Sequence, residues 1–103
     1  MPHPMRIRAT LQNDQAIVQV LMSHEMESGQ RKDAEGNVVP AHYIQSVVAT
    51  HNERQVLGAE WGPAVSKNPY LQFQFGGAKA GDTIQITWVD NRGESRTDEA
   101  AIR

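Results

Sequence analysis

Tyr70-Leu71-Gln72-Phe73-Gln74-Phe75 alternates polar and apolar side chains with a period of two, the spacing of a strand that buries one face. The same period recurs in short runs separated by turn residues, so the chain is predicted to be all-β. Seven strands are expected. The first runs from Met5 to Leu11, with Ile7, Ala9 and Leu11 on one side, and Asn13-Asp14 turns it into Gln15 to Ser23, with Val18, Val20 and Met22 inward. Ile44 to His51 and Gln55 to Trp61 form a hairpin at Asn52-Glu53, closed off by Gly62-Pro63. Tyr70 to Phe75 then buries Leu71, Phe73 and Phe75; Thr83 to Asp90 buries Ile84, Ile86 and Trp88; and a polar last strand follows Asn91-Arg92-Gly93 and ends at Ile102.

Turns spaced about eight to twelve positions apart favour an immunoglobulin-like antiparallel β-sandwich over a small closed barrel. Trp88, Phe73 and Phe75 are expected in its core, where each ring removes about 150 to 250 Å² from water. Glu94, Arg96, Asp98 and Glu99 would give the last strand an edge that repels further pairing. Glu25 to Pro40 is the longest excursion, expected to be irregular with a short strand possible at Val38-Val39.

At 103 residues the chain is expected to form one domain, 1–103. A net charge of −2 argues against a nucleic acid or an anionic membrane as partner. No window approaches the roughly 20 apolar residues of a membrane span, and Met1-Pro2-His3-Pro4-Met5-Arg6 has no stretch of export-signal character. With no cysteine, the chain can build neither a disulfide nor a thiolate metal site, and any thiol chemistry must belong to a partner.

Catalytic readings find little support. His3, His24, His42 and His51 sit beside no nucleophile motif. The carboxylate pairs Glu25/Glu27 and Asp98/Glu99 read as solvated, and Gly76-Gly77 opens no helix that could cradle a phosphate. Neither a catalytic residue nor a cofactor is expected. One metal reading is worth stating. Met22, His24 and Met26 alternate at a strand end, and thioethers with an imidazole suit Cu(I). The plainer reading has Met22 in the core, His24 hydrogen-bonded at the strand end and Met26 packed against the sandwich or a partner, because methionine more often fills apolar gaps. A separate amino-terminal copper site is disfavoured because Pro2 has no amide proton to lose.

Three segments, taken in order and spacing, carry a resemblance: His24-Glu25-Met26-Glu27-Ser28-Gly29 with Arg31-Lys32-Asp33, Asn68-Pro69-Tyr70-Leu71, and Trp88-Val89-Asp90-Asn91. Over about Arg6 to Ile102 the chain resembles the SoxZ family, the Z subunits of the bacterial sulfur-oxidation carrier. The resemblance implies an immunoglobulin-like, non-catalytic subunit bound to a SoxY subunit. A cysteine on the partner's flexible tail would carry thiosulfate-derived sulfur between periplasmic Sox enzymes, and the pair would be exported on the partner's signal. Many relatives have proline after the motif histidine; this chain has Glu25, which keeps a backbone N–H and adds a charge.

Residue type and position, rather than the family, give the expected partner-binding set: His24, Met26, Arg31, Trp61, Pro63 and Tyr70. Trp61 has partial core burial as its alternative. A copper-binding sandwich built on His24 and its methionines, and an adhesion or sensor domain using its sheet faces, are the competing functions.

Overall fold

A computed structural model describes residues 3–103. It contains seven antiparallel strands: β1 Arg6–Gln12, β2 Gln15–Leu21, β3 Ile44–His51, β4 Arg54–Glu60, β5 Tyr70–Gly76, β6 Thr83–Asp90 and β7 Ser95–Ala101. They form a three-stranded sheet, β1-β2-β5, and a four-stranded sheet, β4-β3-β6-β7. The fold is the expected immunoglobulin-like sandwich.

Period two does the sorting. Ala16, Val18 and Val20 of β2, Ile44, Val47 and Ala49 of β3, and Ile84, Ile86 and Trp88 of β6 point inward and are almost wholly buried. These belong to central strands flanked on both sides, which is why their burial is complete. Phe73 and Phe75 differ from expectation: with Leu71 they are half-buried and pack against the core from outside it. The cause is position, because β5 is the edge of its sheet and has a neighbour only in β2.

Two connections at one end are as short as a hairpin permits. Asn13-Asp14 joins Gln12 to Gln15, and Asn52-Glu53 joins His51 to Arg54. All four loop residues have positive φ, between 48° and 69°, the backbone of a type I′ turn, whose twist matches that of the strands it joins.

The opposite end carries the long connections. Residues 27–42 are more regular than expected: Glu27 and His42 exchange both backbone hydrogen bonds, at 2.7 and 2.9 Å, and Val39 N–H donates to the Arg31 carbonyl at 2.8 Å. Val38 forms an isolated bridge with Lys32 instead of a strand with Val39. The segment is a hairpin-like finger. Asp33 closes its tip, with Oδ1 accepting the N–H groups of Glu35 and Asn37 at 2.9 and 3.0 Å. The molecule measures 52 × 21 × 21 Å.

Candidate functional site

The three sequence segments that carry the family resemblance meet at the base of this finger. β2 stops at Leu21, but the chain continues along β5, with Met22 N–H donating to the Pro69 carbonyl at 2.9 Å. His24 N–H then donates to Asn68 Oδ1 at 3.0 Å, and Asn68 N–H returns a bond to the His24 carbonyl at 2.9 Å. Asn68 sits at φ 52°, a left-handed conformation that asparagine tolerates better than most residues. Asn91 ties the far side: its Oδ1 accepts Tyr43 N–H at 2.8 Å and its Nδ2 donates to the Ala41 carbonyl at 2.9 Å.

Asp90 is the hub. It is only 1 % exposed, and an isolated buried carboxylate would be strongly disfavoured. The inward register of β6 through Ile84, Ile86 and Trp88 puts it there. Its Oδ1 accepts the backbone N–H groups of Arg92 and Glu94 at 3.0 and 2.9 Å. Its Oδ2 faces Nε2 of His24 at 3.1 Å and Nε2 of His42 at 2.8 Å. Burial pushes the Asp90 carboxyl up, but hydrogen bonds from His24, His42, Glu94 and Arg92 outweigh it and hold the group below the ordinary carboxylate range.

The protonation pattern of His24 follows from one contact. Its Nδ1 lies 3.0 Å from Met26 N–H, which can only donate, so Nδ1 is the acceptor and Nε2 carries the proton given to Asp90. The His24 ring also meets Trp88 edge to face, with centroids 5.1 Å apart. Met26, at φ 51°, is held in a left-handed conformation unusual for a long side chain. The His24 contact on its N–H, and the Ile44 N–H that points at its Sδ from 3.3 Å, hold it there. Gly29 is constrained sterically: at φ 87°, a Cβ there would approach the Ala41 Cβ to 3.2 Å.

This latch leaves little room for the chemistry of a copper site. Met22 is fully buried, the Met26 sulfur accepts a backbone N–H, and both His24 nitrogens are engaged. Pro2, on which the amino-terminal copper argument turned, lies outside the described residues. His24, His42 and Asp90 do bring three donor atoms within 4.8 Å of one another. Binding an ion through His24 Nε2 would require expelling the proton that the Met26 contact fixes there. The trio is built as a hydrogen-bonded strut.

The six residues expected to bind a partner lie at the same end but do not form one surface. His24 and Met26 are buried, each 7 % exposed, and act from beneath. Arg31 is exposed on the finger, its Nε bonded to both Glu27 carboxylate oxygens at 3.0 and 3.1 Å; that guanidinium holds the Glu27 carboxyl below its usual range. Trp61 is half-buried against the core, as its alternative reading had it, and Pro63 is exposed beside it. Tyr70 is 57 % exposed and directly opposite the exposed Leu21 on the outer face of the three-stranded sheet. Sequence reasoning missed Asp90 and His42 as site residues. The available signal was a carboxylate in the inward phase of β6, where an apolar residue was due.

A family model described as "Sulphur oxidation protein SoxZ" matches residues 5–101. Among solved structures, a hypothetical protein, PH1083, from Pyrococcus horikoshii OT3 superposes with a TM-score of 0.65 at 17 % identity, covering 99 % of this chain and 89 % of that one. The likeness extends to the fold alone. No curated protein matches the sequence.

Proposed function

Because the chain belongs to the SoxZ family of sulfur-oxidation proteins, we propose that it is the non-catalytic subunit of a SoxYZ-type carrier. It pairs with a SoxY subunit whose tail cysteine carries thiosulfate-derived sulfur from one periplasmic Sox enzyme to the next. One observation carries this reading: a chain of a sulfur-oxidation family has no cysteine, and covalent sulfur transfer needs a thiolate. Its most buried polar groups point the same way, since Asp90 and His24 spend their hydrogen bonds on each other and on the backbone. The chain works as a rigid support, exported with the partner that bears the signal. In this reading Arg31, Trp61, Pro63 and Tyr70 contact partners, while His24 and Met26 hold the backbone from which those contacts project.

Co-expression with the neighbouring reading frame tests the proposal. The expected product is an equimolar pair in which Trp61→Ala or Arg31→Ala weakens association at least threefold. A chain that binds no SoxY subunit from its own genome, or that turns over thiosulfate alone, would overturn it.

A further inference from the structure

We infer that the free edge of β5 is where the partner docks, by adding a strand of its own to the β1-β2-β5 sheet. This rests on the reading that the chain is one half of a pair. It goes further by naming the surface and the chemistry of contact.

The four sheet edges are not alike. β7 carries Arg96, Asp98 and Glu99, and β4 begins at Arg54 and ends at Glu60. β1 is covered along its middle by the end of the chain, since Leu11 N–H donates to the Arg103 carbonyl at 2.8 Å and Arg103 N–H to the Ala9 carbonyl at 3.0 Å. β5, with the sequence Tyr-Leu-Gln-Phe-Gln-Phe-Gly, has no charge and no proline and pairs with β2 alone. Soluble proteins seldom leave such an edge open, because it templates pairing with another strand.

The ladder shows which groups are offered. The Met22-to-Pro69 bond sets the phase of β2 against β5. Bonded and non-bonded pairs alternate in an antiparallel ladder, so Leu71, Phe73 and Phe75 bond to β2. Tyr70, Gln72 and Gln74 therefore turn both N–H and C=O outward. Beside that row the sandwich is open. Phe75 and Gly76 of β5 face Val56 of β4 across a hollow of about 420 Å³, and Leu71, Phe73, Leu57 and Ala59 are only half-buried. Unpaired main-chain groups next to a half-buried apolar seam, with Arg54 and His51 at the turn end of its hollow, select an extended backbone with apolar side chains at alternate positions.

Gln74→Pro removes one outward N–H from the edge and leaves the β2 ladder intact, a substitution that edge strands accept. With the cysteine-bearing partner subunit as the probe, the variant is expected to bind at least tenfold more weakly while unfolding at the same temperature within a few degrees. Hydrogen exchange on the unmodified chain is an independent readout: the amides of Tyr70, Gln72 and Gln74 should exchange fast alone and slowly in the pair. Unchanged affinity in the variant, or the same fast exchange in the pair, overturns the inference while leaving the pairing itself in place. Slow exchange in the chain alone, accompanied by a dimer in sedimentation, assigns the edge to a second copy and overturns it too. If the unmodified chain binds no partner, the underlying reading fails and this inference goes with it.

Discussion

The two ends of the sandwich solve the same problem, how to reverse the chain, by opposite means. At one end Asn13-Asp14 and Asn52-Glu53 do it with four residues in left-handed conformations and no fully buried polar side chain, the second turn being flanked by a half-buried His51–Asp82 contact at 2.7 Å. At the other, a hairpin-like finger is anchored by a buried carboxylate, two imidazoles and two asparagines. The first arrangement is largely local, each turn joining two strands adjacent in sequence. The second joins positions 24, 42, 68 and 90 and exists only once the sheets have assembled. A protein that needs a shaped, fixed protrusion must use the second kind, because a tight turn has nothing to present.

Breaking the hub should separate the ends most sharply. Asp90→Ala leaves the His24 N–H and two backbone N–H groups without their acceptor, and leaves His42 with only the more exposed Glu94 carboxylate at 3.3 Å. A loss of about 3–5 kcal/mol is expected in urea denaturation at neutral pH, as for a buried pair that loses one member. His24→Ala follows, at about 2–4 kcal/mol, from a buried ring removed and the Met26 N–H left without its acceptor. If either costs less than a turn-end substitution, the two ends do not differ as described.

Acid gives the next effect. Asp90 and Asp98 both titrate below their ordinary range when folded, Asp90 because its hydrogen bonds outweigh burial and Asp98 because Arg96 pairs with it. Groups lowered in this way contribute stability that is present above the unfolded value, near 4, and is lost as pH falls through the folded values. The contribution of these two carboxylates is expected to hold down to about pH 5 and to decline below about 4. Asp90→Asn should flatten that decline in the same titration.

The smallest change goes the other way. Glu53 holds φ 69°, where a side chain is strained, and Asn-Gly is the preferred dipeptide of a type I′ turn. Glu53→Gly is expected to raise stability by about 0.5–1 kcal/mol, read from the urea midpoint. A destabilised variant would mean that Glu53 makes contacts the turn geometry does not account for.

The same contrast explains what could be read in advance. The bounds of β3 and β6 are as expected from sequence, and β5 is extended only by Gly76, because alternation and turn residues are local signals. The half-burial of Phe73 and Phe75 was illegible, since alternation tells which face a residue is on but not whether its strand lies at an edge. His42 was likewise anonymous among four histidines, and its role depends on a strand end 48 positions away. The motif segments were visible as motifs; that they converge on one another and on residues 41–44 was not.

Intact mass spectrometry of the co-expressed pair after exposure to thiosulfate and the Sox enzymes that load it tests the account most directly. It predicts sulfur-containing adducts on the partner subunit only, with this chain at its unmodified mass. An adduct on this chain, or a loaded partner that forms equally well without it, would contradict the account.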